Sequence, residues 1–331
     1  MESKQVNAWF FPHPLLWALT ILMIAAEAVW VIVGGFEIRL GNFAPLLIAA
    51  LAALGIGILS AGKNRQLAML SFTIAFFIIF GKQARVMNYL TTAAAFPLVD
   101  DYLDQLDKMI GFDWVAFTGW LNARPLILEI LRKAYNILPL ITVFTLVYQL
   151  AFKHYEKLKE FLFVFSLTVI GTLMTGTFLP AIGAFEYNNP PSELLTNIPA
   201  MSGRYYLPHL YALRDGSMTV IPLDHLTGLI QFTSFHTTMA LILTWAMRRT
   251  PLFWPFVIIN TLMAASTPLY GGHYLMDLIG GAAFAILAIL LYATHFKHMP
   301  APQVFTRRPP LSRKPAASRS TCLQVESLER R

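Results

Sequence analysis

Two short stretches set histidines where they could do chemistry. Thr233-Ser234-Phe235-His236-Thr237-Thr238 is a polar knot in an otherwise apolar sequence, and Tyr270-Gly271-Gly272-His273-Tyr274-Leu275-Met276-Asp277 opens another apolar run. At i, i+4 spacing His273 and Asp277 share one face of a helix, so the carboxylate accepts Nδ1–H and leaves the Nε2 lone pair free. That is the arrangement of a base or nucleophile with its orienter. Ser234 stands where a helix start leaves amide donors unpaired, and Gly271-Gly272 lets backbone come close to a ligand. Such helix starts attract phosphate. With one histidine attacking phosphorus and a second protonating the leaving oxygen, phosphoester cleavage runs in two steps through a phosphohistidine and needs no metal.

The elements that must position these residues are apolar. Of 331 residues, 56% are hydrophobic and 13% charged, with a mean hydropathy of +0.56; soluble domains run at roughly 45–50% and about 25%. An ordinary soluble enzyme is excluded. Eight apolar blocks, at about 15–33, 43–61, 66–81, 134–152, 161–181, 229–247, 252–268 and 274–296, free of charge but for Glu27 and Asp277, approach the length that spans a bilayer. The fold class expected is all-α, a polytopic membrane bundle of about eight transmembrane helices. The first block follows Lys4 like a signal peptide, yet its length and the lack of a cleavage site predict a retained helix. Two long segments, about 82–133 and 182–228, are expected as function-bearing loops.

Basic residues set the orientation, since short cytoplasmic loops hold the excess of Lys and Arg. Lys63 and Arg65, then Lys153, Lys157 and Lys159, then Arg248 and Arg249 fall in alternate short loops. Both termini are therefore expected in the cytoplasm, and 182–228 with 269–274 outside, in a plasma or inner membrane. The net charge of +7 does not mark a nucleic-acid binder: residues 297–331 hold eight basic and two acidic residues, so six of the seven charges sit in that stretch. It is expected to be a disordered cytoplasmic tail attracted to anionic lipid. Cys322 is alone, so an intrachain disulfide or Cys-based zinc site is excluded.

Ser234-Phe235-His236 and His273-Tyr274-Leu275-Met276-Asp277, about 37 residues apart across one apolar block, resemble the second and third signature motifs of the type 2 phosphatidic acid phosphatase superfamily. The likeness is closest to the branch holding inositol phosphorylceramide synthases and sphingomyelin synthases. Asp107-Lys108-Met109-Ile110-Gly111-Phe112-Asp113-Trp114 and Tyr135 are similar to that branch too, so the resemblance covers roughly 100–295. It implies a six-helix catalytic core, giving three regions: N-terminal transmembrane helices at 1–65, a phosphatase-like membrane domain at 66–296 and the tail at 297–331. It implies His273 as nucleophile, Asp277 as its orienter, His236 as acid for the leaving group and Ser234 as a phosphate contact. A Lys-x6-Arg-Pro first motif is missing, and Thr267 stands where soluble-type members carry an arginine six residues before the third-motif histidine. Arg214 is then the first candidate for the phosphate charge and Arg204 the second, with Lys82 and Arg85 behind them.

The function expected is a lipid phosphatase or phosphotransferase at the outer membrane face, with a lipid phosphate as substrate, membrane lipids as partners, and neither cofactor nor metal. An inositol phosphorylceramide synthase-like headgroup transferase is one alternative. A non-catalytic transporter on the same scaffold is another. Asp224 and His225 joining His236 and His273 would instead make a zinc hydrolase, and two helix-borne histidines a haem site, which the paired carboxylate disfavours.

Overall fold

The structure, a computed structural model, describes residues 8–297 and 299. Among them lie thirteen α-helices: α1 (Pro14–Gly34), α2 (Ala44–Ser60), α3 (Arg65–Ala93), α4 (Asp100–Met109), α5 (Trp114–Asn122), α6 (Pro125–Asn136), α7 (Leu138–Ala151), α8 (Tyr155–Phe178), α9 (Ala184–Asn188), α10 (Leu207–Arg214), α11 (Phe235–Ala246), α12 (Phe253–Tyr270) and α13 (Leu275–Leu291). Each of the eight apolar blocks is helical. Pro14–Gly34, Gly41–Ser60, Arg65–Ala93, Tyr155–Phe178 and Leu275–Phe296 are long and apolar enough to cross a membrane, and α6 with α7, bent by 47°, makes a sixth such stretch. The chain is a polytopic helical membrane bundle. Cys322 and the tail beyond residue 299 lie outside the described residues.

Two expectations change in detail. Block 229–247 yields only the 12 residues of α11, a rise of about 18 Å against the ~30 Å of a hydrocarbon core, because 229–234 precede it without helix. The expected loop at 82–133 is largely helical, since α3 continues to Ala93 and α4, α5 and α6 follow. Polar residues end the apolar block at 81 without ending the helix: Gln83 donates to Glu27 Oε1 at 3.0 Å, and Asn88 Oδ1 accepts from Leu229 N at 3.1 Å.

Local chemistry sets the helix starts. Asn64 Oδ1 accepts from Leu67 N at 3.0 Å to open α3, and Asp113 Oδ1 accepts from Ala116 N at 2.9 Å to open α5. These caps supply acceptors for amides that a helix start leaves unpaired. α11 sits centrally, packed on α7, α8, α12 and α13, while α3 packs on α1, α2 and α8. Their shared core includes Phe72, Phe76, Phe161, Phe165, Leu243 and Met263.

The two ends of the bundle gather different loops. At one end α8, the α7–α8 turn and the α11–α12 turn meet: Arg248 pairs with Glu160, and Lys157 Nζ donates to Arg248 O at 3.0 Å. At the other, both long segments and the turn at 271–274 pack together. Strand β1 (Glu37–Arg39) from the α1–α2 loop pairs in parallel there with β2 (Val220–Pro222), Ile38 opposite Ile221. This small sheet is absent from the sequence expectations, being three residues per strand.

α13 lies against α11 through glycines. A β-carbon on Gly281 would stand 2.5 Å from Ser234 O and 3.1 Å from Thr238 Oγ1, whereas one on Gly55 in α2 would meet nothing within 4 Å. Both glycines sit inside helices, where alanine is intrinsically better by ~1 kcal/mol. Gly55→Ala is therefore expected to hold or raise the melting temperature in detergent. Gly281→Ala is expected to lower it, because overpacking costs about 1–3 kcal/mol and outweighs the propensity gain; equal shifts for the two variants would show that the α11–α13 contact is loose.

Candidate functional site

The start of α13 places His273 and Asp277. Asp277 Oδ2 lies 3.0 Å from His273 Nδ1 and accepts from Tyr274 N at 2.9 Å. With Asp277 ionised the carboxylate can only accept, which puts the imidazole hydrogen on Nδ1 and leaves the lone pair on Nε2. Both residues are buried, Asp277 fully. A β-carbon on Gly271 would fall 2.4 Å from His273 Cδ2 and 2.9 Å from Nε2, and one on Gly272, whose φ is +73°, would strike Gly203 O. The glycine pair makes room for the imidazole and for close backbone packing.

The polar knot joins this helix start directly. Ser234 N donates to Asp277 O at 2.9 Å, so the backbone that caps α11 is bonded to the backbone of α13. Ser234 Oγ accepts from Thr237 N at 3.4 Å and faces Thr237 Oγ1 at 3.2 Å. The amides of Phe235 and His236, at the first two positions of α11, have no hydrogen-bond partner among the described residues. His236 is half-buried, its ring stacked on Tyr135 with centroids 4.1 Å apart and planes 14° from parallel. It lies close enough to His273 for a charge on one to act on the other. His273, Asp277, Ser234 and His236 thus come together.

The helix start of α13 is not open to phosphate, contrary to the sequence expectation for both starts. Asp107 fills it, accepting from Leu275 N at 2.8 Å and Met276 N at 2.9 Å. Asp100 braces the same turn: it accepts from Tyr274 OH at 3.0 Å, from Gly183 N at 3.0 Å and from Ile182 N at 2.9 Å. Burial pushes the Asp100 and Asp107 carboxyls up from their usual range, and the amide donors oppose that rise. Trp114 Nε1 donates to His273 O at 3.2 Å and to Pro268 O at 3.3 Å, clamping the approach to the histidine.

Neither arginine is seen reaching the histidines. Arg204 Nε lies 3.4 Å from Glu186 Oε2, Nη2 donates to Asn189 Oδ1 at 3.4 Å, and the guanidinium covers the Phe185 ring at 4.4 Å. Arg214 Nη2 donates to Phe96 O at 2.9 Å, and among the described residues no carboxylate is paired with it. It lines a small void that also contains Gln231. Lys82 is spent on Leu223 O at 2.6 Å and the Phe43 ring. Asp224 accepts from Asn42 N at 3.0 Å, and among the described residues no three of His, Cys, Asp and Glu gather as metal ligands, so the Asp224-His225 pair does not join His236 and His273.

Asp100, Asp107, Trp114 and Tyr135 have no assigned role in the sequence reading, although the last three fall in stretches singled out there. A signal for the aspartates exists. In α4 the buried positions are Asp100, Leu103, Asp104 and Asp107, a helical stripe of i, i+3, i+4 and i+7 whose inward face is mostly acidic.

A histidine with its carboxylate at one helix start, beside a second histidine at an open helix start, suits phosphoryl transfer. Comparison with known protein families matches residues 101–291 to the PAP2 superfamily, whereas no curated protein and no solved structure matches. That stretch covers more than half of the chain and contains Ser234, His236, His273 and Asp277, so the protein belongs to the PAP2 superfamily, and its function is of the phosphatase or phosphotransferase type.

Proposed function

We propose that the protein is a membrane-embedded lipid phosphatase or phosphotransferase that cleaves a lipid phosphoester through a phosphohistidine. His273 Nε2 attacks phosphorus, the phosphorus–oxygen bond to the leaving group breaks, and His236 gives that oxygen its proton. Water, or the hydroxyl of an acceptor, then attacks the phosphohistidine while His236 takes its proton, and His273 is restored. Asp277 keeps Nδ1–H pointed away from phosphorus and steadies the imidazolium character that develops. The single observation carrying this reading is the fixed Asp277–His273 pair beside the open start of α11, where free amides and the helix dipole suit a phosphate.

Phosphate charge falls to Arg214 first, because it lacks the carboxylate that already compensates Arg204. Within the superfamily, the inositol phosphorylceramide synthase and sphingomyelin synthase branch fits the His-Tyr-x-x-Asp sequence at 273–277 and favours a lipid hydroxyl as acceptor. The alternation of basic loops supports an outer-face reaction with cytoplasmic termini, since Lys157 and Arg248 lie at the end of the bundle opposite the histidines.

A lipid-phosphate panel read for free phosphate and for new lipid headgroups separates the two reactions. On the better substrate His273→Ala is expected to lose ~10³-fold or more in kcat, with Asp277→Asn less impaired. His236→Ala is expected to lose on the order of 10²-fold with a poor leaving group and little with a nitrophenolate. Near-normal turnover by His273→Ala would sink the mechanism and leave a transporter on this scaffold as the better reading.

For the phosphate clamp, Arg214→Lys is expected to lose much of kcat/KM and Arg204→Lys less, at equal protein abundance, since lysine cannot reproduce the planar fork. Full activity in Arg214→Lys would shift the role to Arg85. For sidedness, in a Cys322→Ala background, Asn188→Cys is expected to react with an impermeant maleimide on intact cells and Ala61→Cys to stay unlabelled; the opposite pattern moves the reaction to the cytoplasmic leaflet.

A further inference from the structure

The two histidines are held by different means. His273 has a carboxylate on Nδ1, whereas the His236 imidazole makes no hydrogen bond or ion pair among the described residues. What holds it is the ring of Tyr135 on α6, parallel to within 14° at 4.1 Å between centroids. Tyr135 is braced in turn: its hydroxyl meets Tyr205 OH at 3.1 Å, and its ring lies 6.2 Å from that of Tyr270, whose hydroxyl donates to Leu128 O at 2.7 Å. Tyr205 stands edge-on to Tyr206, and Tyr206 OH donates to Ile182 O at 2.7 Å. The stack is tied into α6, α12 and the second long segment.

A group that protonates a leaving oxygen must be a cation before it gives its proton, and must present an N–H in the right direction. A carboxylate would serve both needs, as Asp277 does for His273. Beside the free amides of Phe235 and His236, however, a carboxylate would compete for those donors and repel a phosphate. An aromatic face serves the same needs without charge. Its negative quadrupole attracts an imidazolium more strongly than a neutral imidazole. Because both ring nitrogens point outward in the plane of the imidazole, a partner on the face leaves them free. The ring can turn within its plane and resists tipping out of it.

We propose that Tyr135 is the positioning residue of the proton donor: its ring face takes the place of a carboxylate for His236, fixing the imidazole plane and favouring the charged form that protonates the leaving oxygen. The inference rests on the assignment of His236 as the acid. Tyr135 acts through His236 rather than on phosphorus.

The test follows first-turnover release of the leaving group, which needs no acceptor, from phosphatidic acid and from para-nitrophenyl phosphate, with the full-length protein in detergent. Tyr135→Leu, which removes the face, is expected to slow release from saturating phosphatidic acid about tenfold, the scale of a desolvated cation–π contact. It is expected to slow nitrophenolate release far less, because that group leaves without a proton; the same release reports how much protein in each sample is folded. Tyr135→Phe keeps the face and is expected to restore most of the rate. On a His236→Ala background Tyr135→Leu is expected to cost nothing more. Equal loss on both esters in Tyr135→Leu would make the ring a structural prop, and a loss in Tyr135→Phe as large as in Tyr135→Leu would move the effect to the hydroxyl. Either result overturns the proposal, as does an unchanged rate in Tyr135→Leu. If His236→Ala itself loses equally on both esters, the acid assignment falls and this inference with it. If His236→Ala is selective and Tyr135→Leu is not, this inference alone falls.

Discussion

Carboxyl groups holding amide hydrogens at the start of α13 are the interaction on which the rest of the site depends. Asp107 takes two amides of the first turn, Asp277 takes the Tyr274 amide and the imidazole, and Asp100 reaches the same turn through Tyr274 OH while holding 182–183 with its other bonds. Three buried carboxyls this close repel one another, yet each is aimed at donors, and the positive end of the helix dipole lies among them. Because the donors come from α13 and from 182–183 while the acceptors come from α4 and α13, the two long segments are fixed to the helix that bears the histidine. Removing one acceptor leaves buried amides unpaired, and removing the donors leaves buried charge; either is far costlier than the bond itself is worth.

That constraint explains why the bonded polar side chains gather at one end of the bundle. Hydrocarbon cannot satisfy polar groups, so α8, α11 and α12 carry threonines and serines whose hydroxyls turn back on their own helix: Thr168 donates to Phe165 O, Thr244 to Ala240 O and Thr267 to Ala264 O. Side chains that hydrogen-bond between elements gather mostly near the helix ends, under the long segments at one end and around Gln149, Lys157 and Arg248 at the other. α11 is short for the same reason. Its first residue begins at Phe235 because Ser234 must cap it and bond to Asp277 O, and the residues before it are needed as non-helical backbone, with Leu229 N bound by Asn88.

Much of this was legible in the sequence, and the reasons for success and failure differ by residue. The eight apolar blocks are helices because length and hydropathy act locally, and the His273–Asp277 bond follows from i, i+4 spacing alone. Ser234 as a cap was readable for the same reason. The reach of α3 to Ala93 was not, because Gln83 and Asn88 look like a loop until their partners, Glu27 and Leu229, are brought in from 56 and 141 residues away. The roles of Asp100 and Asp107 stayed hidden on similar grounds: their donors come from 82 to 174 residues further along the chain, and spacing carries no information over that separation. Tyr135 was noticed by resemblance, but its stacking on His236 depends on α6 lying against α12, a packing fact.

The two helix starts that looked alike in sequence are therefore opposites in the fold. At α13 the chain's own Asp107 occupies the place an anion would take, which makes that turn rigid and electrostatically filled. At α11 only the Ser234 hydroxyl caps, taking the Thr237 amide and leaving those of Phe235 and His236 open. A free anion entering this region meets repulsion from the aspartates at one start and donors at the other, so the field itself directs it toward α11. The histidine that is held most firmly, His273, belongs to the filled start, and the histidine that is less buried and free of hydrogen bonds, His236, belongs to the open one. In the proposed mechanism, holding one imidazole still while leaving the other beside the incoming charge is the division that an attacking nitrogen and a proton donor require: the first must keep its lone pair aligned, and the second must follow an oxygen as its bond to phosphorus breaks.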